Sequence, residues 1–254
     1  YGHRYINPSE IVVDHANNYI SLLKSSNVVI DANERIKIIK NDGANLAKNN
    51  HLVFRPSEKL LKEVANLIES PYLFISEFDK DYLSLPEDVL KLTMMKQQKY
   101  FPLVSKDNKI SNKYIAVSNV PVNEENIIAG NSRVLKARLA DAAFFYQNDI
   151  NTGLTKLSHG LKNIIFHRLL GSTDSKVNRI KYFIRKYQKT FKADKNLSLT
   201  AAELCKADLC SEVVYEMPEL QGIIGSKYAE IEGLNKKIIL AIKEHYSPLG
   251  PHDI

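Results

Sequence analysis

The sequence predicts an α+β protein in two parts, a mixed helix and strand domain over residues 1–125 followed by an all-α domain over residues 126–254. Two observations set this division. Up to about residue 125, helical stripes with apolar residues three and four apart alternate with short apolar runs of strand length, Tyr72–Ile75 and Tyr114–Val117. From Gly130 onward only the helical period is present. Length agrees, because 254 residues suffice for two separate cores.

In chain order, Ser9 is expected to cap a first helix that turns Ile11, Val12, Ala16, Tyr19, Ile20 and Leu23 inward. Val28–Ile30 follows as a short strand or as the lead into a helix through Ile36 and Ile39. Ser57 caps the next helix, whose stripe is Leu60, Leu61, Val64, Leu67 and Ile68. It stops before Pro71, since the residue preceding a proline is pushed out of the helical region. Tyr72–Ile75 reads as a buried strand. Pro86 suits the first turn of a helix running through Val89, Leu90 and Met94 towards Phe101, and Tyr114–Val117 is a further strand before the Pro121 loop.

Gly130–Tyr146, GNSRVLKARLADAAFFY, places Arg133, Lys136 and Arg138 among Val134, Leu135, Leu139, Ala142, Phe144 and Phe145. This is the pattern of a docking helix with one apolar and one cationic flank. Between Lys176 and Lys192, Val177, Ile180, Ile184, Tyr187 and Phe191 form an inward stripe. Thr200–Glu203, TAAE, reads as a capping box at the start of the next helix. Pro218 opens another through Leu220, Ile223 and Ile224 that closes near Gly233, and Asn235 caps the last, through Ile238, Ile239 and Ile242.

Composition excludes several classes. Lys and Arg number 35 against 29 Asp and Glu, a net charge of +6 that permits a polyanionic partner without requiring one. No apolar run reaches bilayer length, so no membrane partner is expected. Cys205 and Cys210, read on one helix, diverge too far for a bridge, and a reducing, cytoplasmic setting is expected. The chain begins at Tyr1 and ends at Pro251–Ile254 after a Pro/Gly turn, and it reads as an excised fragment. Its ten glycines form neither GxGxxG nor GxxxxGK[ST], the spacings that bring backbone amides onto a phosphate, so no ATP site is expected here. There is no GxSxG elbow and no CxxC pair.

Four groups remain as candidate sites. His159 and His167, eight apart on a predicted helix, with Asp208 on a later one, loosely resemble the histidine-aspartate hydrolase metal set, but Ala207 stands where its central His-Asp pair needs histidine. No metal site is therefore expected, and a metal-dependent phosphohydrolase is the alternative reading. Glu212, Glu216 and Glu219 fit a solvated helix face better than acid-base work. The strongest charge signal is Lys176, Arg179, Lys181, Arg185, Lys186, Lys189 and Lys192, with no acid among them and with Tyr182 and Phe183 alongside. Such a face tracks phosphates or is simply solvated. A shorter group, Lys96 and Lys99 with Gln97 and Gln98 before Tyr100 and Phe101, has the residue types of an RNA contact.

Several stretches taken together resemble the β subunit of the bacterial tetrameric glycyl-tRNA synthetase. They are GHR at Gly2–Arg4, TMMKQQKYF at Thr93–Phe101, the Gly130–Tyr146 run, Phe166–Gly171 with Lys176, Val177, Arg179 and Ile180, Lys206–Leu209 leading to PELQG at Pro218–Gly222, and Tyr228, Ala229, Ala241, Ile242, His245, Tyr246 and Pro248. Nearly the whole chain is covered. The resemblance implies an α subunit partner in an α2β2 assembly that uses ATP and Mg to attach glycine to tRNA(Gly). It implies that the β subunit binds tRNA, with no aminoacylation by this chain alone. It also implies an N-terminal domain similar to the editing-domain fold of phenylalanyl-tRNA synthetase and a helical domain similar to the HD fold, and this chain ends before the anticodon-binding domain. Gln97, Met217, Ser70 and Ser132 depart from the family's usual His, Phe, Trp and acidic residue. Under this reading Arg133, Arg138, Lys176, Arg179, Lys181 and Arg185 are phosphate clamps, with Lys96, Lys99, Lys186 and Lys189 as further RNA-binding candidates. A purely structural interaction subunit is a second alternative.

Overall fold

Alternation of side chains across a pleated sheet builds the first half of the chain. The computed structural model describes residues 1–121 and 124–251. His252, Asp253 and Ile254 of the expected terminal turn lie outside the described residues, as does the Phe191 side chain of the expected inward stripe. The described chain divides into two compact units, Tyr1–Ala140 and Asp141–Ile254.

The first unit contains α1 (Tyr19–Ser25), α2 (Ala32–Asn49), β1 (Val53–Phe54), α3 (Glu58–Leu67), β2 (Tyr72–Glu77), α4 (Glu87–Leu92), β3 (Phe101–Val104) and β4 (Ile110–Ser118). The strands form one antiparallel sheet in the order β1-β3-β4-β2. In the β2–β4 ladder, Leu73 lies opposite Val117 and Ile75 opposite Ile115, while Phe74 lies opposite Ala116 and Ser76 opposite Tyr114. Because the side-chain period is two, the first set shares one face and the second set the other. Ile39 and Ala47 of α2 and Leu60, Leu61 and Val64 of α3 pack on the first face with Phe101, Leu103 and Ile115. Caps on α2 and α3 fix these helices, the Asp31 carboxylate accepting from Asn33 N and Ser57 Oγ from Leu60 N.

The other face meets α5 (Glu124–Thr152), a 29-residue helix that contains the Gly130–Tyr146 run. Leu135, Leu139 and Ala142 are buried as the docking pattern requires, but Val134 and Phe144 are exposed. Two polar contacts join α5 to the sheet side, Ser132 Oγ to Ser76 Oγ at 2.8 Å and the Tyr100 hydroxyl donating to Asn131 Oδ1 at 2.8 Å. Ser132 thus has a hydroxyl partner. The junction expected at residues 125 and 126 falls at the start of α5, and the compact units divide further along the same helix.

The second unit contains the end of α5 and then α6 (Leu154–Ser158), β5 (Ile165–His167), β6 (Gly171–Ser172), α7 (Thr173–Phe191), α8 (Lys195–Leu204), α9 (Glu212–Glu216), α10 (Ile223–Ile231) and α11 (Lys236–Glu244). The all-α expectation is therefore corrected by a small antiparallel hairpin in which Ile165 pairs with Ser172 and His167 with Gly171. Gly171, at φ +83°, takes a conformation that breaks helical continuation there.

Other elements shift from their expected places. No helix starts at Ser9; a 3-10 turn begins only at Ala16, where His15 Nδ1 accepts from Asn17 N, and Val12 is 83% exposed. The β-branched Val12 and Val13 disfavour an early helix. Tyr19 and Ile20, expected inward, are exposed too. Val28–Ile30 is not a strand but the lead into α2, which carries Ile36 and Ile39, and Val29 N donates to Glu69 O. The helix from Pro86 ends in a π-helical turn at Thr93–Gln97, and Lys99 at φ +59° turns the chain into β3 before Phe101. TAAE at Thr200–Glu203 lies inside α8, because Asp194 takes the cap by accepting from Leu197 N. Asn235 caps α11 as expected.

The stripe on α3 is narrower than its spacing implies: Leu61 is fully buried, whereas Leu67 is 66% exposed. Leu61→Ala should lower unfolding free energy in urea denaturation by about 2–5 kcal/mol, and Leu67→Ala by less than about 0.5 kcal/mol. Equal losses would refute this assignment of the helix face.

Candidate nucleic-acid interface

The cations singled out in the sequence are divided between the two units. Arg133 and Arg138 are exposed on α5 within the first unit, as is Lys96 in the π-helical turn. Lys99 forms an ion pair with Glu63 at 2.6 Å, and its positive φ belongs to the turn that ends the helix. The rest lie on α7 in the second unit. That helix is well founded, with Ser172 Oγ accepting from Ser175 N at its start, Asp174 in its first turn and Lys192 in the left-handed conformation at its end.

Packing sorts the α7 cations by role. Lys181 is paired with Glu203 of α8 at 2.8 Å, and its side chain is mostly buried. Arg179 donates from Nη1 to Leu170 O at 2.9 Å and so braces the hairpin. Lys176 sits over the Phe166 ring, 4.1 Å from its centroid. Arg185, Lys186 and Lys189 are exposed, and no carboxylate pairs with them among the described residues. Arg179, Tyr182, Phe183 and Lys186, spaced three, one and three apart, share one exposed arc of the helix. Tyr182 and Phe183 are each more than half exposed. The Phe183 and Tyr187 rings stack 17° from parallel, and Lys186 Nζ lies 5.3 Å from the Tyr187 centroid and 6.0 Å from that of Tyr182. Cations interleaved with exposed aromatic faces suit a nucleic-acid strand, since phosphates meet the ammonium and guanidinium groups while bases stack on rings. The sequence leaves Tyr182 and Phe183 open as stacking or packing rings, and the structure exposes both. The spacing places Tyr187 inward, and only tertiary packing shows it at the surface.

Asp208, His159 and His167 hold different places. His167 is exposed on β5, with Nδ1 accepting from Leu169 N, and His159 begins a 3-10 turn, so the single helix expected to carry both is absent. Asp208 is fully buried, and its Oδ2 accepts from Gly222 N at 2.6 Å and Gly225 N at 3.3 Å, the amides that open α10. A Cβ on Gly225 would lie 2.8 Å from that oxygen. The carboxylate is thus the cap of α10, and among the described residues no three His, Cys, Asp or Glu side chains are grouped to hold a metal ion. Cys205 and Cys210 lie on separate elements, the end of α8 and a 3-10 turn, and are unpaired.

The family described as glycyl-tRNA synthetase beta subunit matches residues 1–254. The chain belongs to the glycyl-tRNA synthetase β-subunit family. It is 39% identical over 251 residues to the glycine--tRNA ligase beta subunit of Thermodesulfovibrio yellowstonii, covering 98% of this chain and 37% of that protein. The same subunit of Dinoroseobacter shibae is 40% identical over 258 residues, 99% of this chain and 36% of the relative, and that of Dictyoglomus turgidum is 40% identical over 249 residues, 96% and 36%. The chain spans a little over a third of the length of these relatives. Among the described residues no helix is long and apolar enough to cross a membrane.

Asp208 makes a pH prediction. Burial pushes its carboxyl up to about 6, against the lowering effect of the two glycine amides. The folded state therefore holds a proton that the unfolded state, at the ordinary value of 3.8, releases earlier. Stability from this group is present at low pH and is lost as pH rises through 3.8 to about 6. Relative to Asp208→Asn, the native protein should lose up to about 3 kcal/mol of unfolding free energy between pH 4 and 6.5. A difference that stays flat across this range would contradict it.

Proposed function

We propose that this chain is a tRNA-binding, noncatalytic core part of a glycyl-tRNA synthetase β subunit, which holds tRNA(Gly) while the α subunit attaches glycine with ATP and Mg. Family membership supports the choice of partner, and the observation that carries the surface is the exposed arc of α7, where Arg185, Lys186 and Lys189 have no carboxylate partner among the described residues and stand beside Tyr182 and Phe183. In this reading the first unit is similar to the editing-domain fold and the second to the HD fold, and the assembly is an α2β2 tetramer in the cytoplasm. Lys181 and Lys99 drop out as primary clamps, because each already neutralises a glutamate. Arg133, Arg138, Lys96, Lys176 and Arg179 remain secondary contacts. The hairpin residues Ile165, Leu169 and Leu170 are exposed and apolar, which favours a protein contact beside the RNA surface as a second reading for that segment.

Replacing Arg185, Lys186 and Lys189 together by Glu in the full β subunit should weaken tRNA(Gly) binding and lower the slope of log K against log salt by about 2–3, near 0.9 for each phosphate that is no longer neutralised. Filter binding across a salt series measures both quantities. In the reconstituted enzyme, the same variant should raise KM for tRNA in glycine charging and leave KM for glycine and ATP unaltered. Native affinity and slope in the triple variant would remove α7 as the RNA-binding surface.

A further inference from the structure

A cleft of about 490 Å³ opens among α7, α8 and α11 of the second unit. This is within the range of small-molecule sites, roughly 300–1,000 Å³. Ile180 and Ile184 of α7 and Ala201 and Ala202 of α8 supply apolar wall. These α7 positions are on a different face of the helix from Tyr182, Lys186 and Arg179, so the cleft is separate from the exposed arc.

Two lysines line the cleft. Lys206 is only 6% exposed, and its Nζ lies 3.5 Å from the Tyr246 ring centroid. Lys176 Nζ rests on Phe166. Aromatic faces hold a cation but leave its N–H groups without an anionic acceptor, and neither lysine forms an ion pair with a carboxylate among the described residues. Burial pushes the Lys206 ammonium down to about 8; Cys205 and Asp208 oppose that shift, and the charge on Lys176 adds to it. Two cations that disfavour each other around an apolar space are both stabilised by an anion placed between them.

Two acceptors are also unmatched. Gln188 Oε1 and His245 Nε2 are buried without a hydrogen-bond partner, and both residues line the same cleft. His245 Nδ1 lies 2.6 Å from Ile242 O, and since a carbonyl only accepts, Nδ1 carries the proton and Nε2 is left as a bare acceptor. Burial holds the ring down to about 4, so it is neutral at pH 7. Native interiors seldom leave such atoms unsatisfied.

We propose that this cleft binds a small amphipathic organic anion, with a carboxylate or phosphate group on Lys176 and Lys206 and an apolar body against Ile180 and Ile184. The site shares Lys176 with the secondary tRNA contacts but none of Arg185, Lys186 and Lys189, and it stands whether or not that surface is correct. Charge complementarity selects this occupant over an apolar peptide, which would leave both ammonium groups without a counterion.

The test is calorimetric titration of the full β subunit with 8-anilinonaphthalene-1-sulfonate, which combines an anionic group, an aromatic body and one N–H donor. One saturable site per chain is expected, and its affinity should fall about tenfold or more in Lys206→Met or in Lys176→Met, each of which keeps an apolar side chain while removing one charge-assisted hydrogen bond. The neutral analogue N-phenyl-1-naphthylamine should bind about tenfold or more weakly for the same reason. Displacement by octanoate ahead of octyl phosphate assigns the natural anion as a carboxylate, and the reverse order assigns it as a phosphate. Equal binding of the neutral analogue, equal binding by both thermally intact lysine variants, or no saturable site because another part of the full chain fills the cleft would each overturn the proposal.

Discussion

The buried carboxylate of Asp208 is the constraint on which the helical unit depends. A helix start leaves several amides without partners, and burying it requires an acceptor brought from elsewhere. Asp208 supplies that acceptor to Gly222 and Gly225, and it does so only because Gly222 reaches φ +80° and Gly225 has no side chain to block the approach. The placement of α10 then fixes Tyr228, whose hydroxyl donates to Asp149 Oδ2 at 2.7 Å. Asp149 in turn accepts from Glu212 N and Val213 N and caps α9. Two buried acids thus set two helix starts and link the end of α5 to α9 and α10. Hydrogen bonds to a charged acceptor contribute about 1.5–3 kcal/mol each, and removing the acceptor leaves buried amides bare.

With that frame fixed, α7 is free to carry two different faces. Val177 is buried towards the unit's interior, and Lys181 is tied to Glu203 across the α7–α8 pair. The opposite arc has no structural duty beyond the brace from Arg179 to the hairpin. A tally of lysines and arginines overstates the charge available to a polyanion, since part of it is neutralised within the fold. What remains is a short, exposed group interleaved with rings, held on a rigid helix and so at little entropic cost to binding.

The first unit is held by smaller polar pairs. Its sheet is covered on one face by α2 and α3, and α5 approaches the other through hydroxyl and amide pairs, Ser76 with Ser132 and Tyr100 with Asn131. Tyr100 also stacks on Tyr114 at 4.8 Å, and burial raises the Tyr100 hydroxyl, which stays protonated as a donor. The Gly2–Arg4 segment is anchored in turn by His3, fully buried, whose Nδ1 accepts from Tyr5 N and Ile6 N while its own amide donates to Ser26 O.

The sequence alone determined what local chemistry determines. Ser57 and Asn235 as caps, β2 and β4 as strands, the Leu135, Leu139 and Ala142 edge of α5 and the acid-free stretch of α7 were all legible, because caps and periodicity act within a few residues. It also carried the family, through motifs spread in order over nearly the whole chain. The hairpin at Ile165–Ser172, the cap at Asp194 in place of TAAE, the split of α7 cations into paired and free, and the turn of Asp208 from metal-ligand candidate to helix cap were decided only by tertiary structure. Each depends on a partner distant in the chain or on a competing local choice: Glu203 for Lys181, Gly222 and Gly225 for Asp208. Charge and spacing name what a side chain offers, and only packing establishes what has already accepted it.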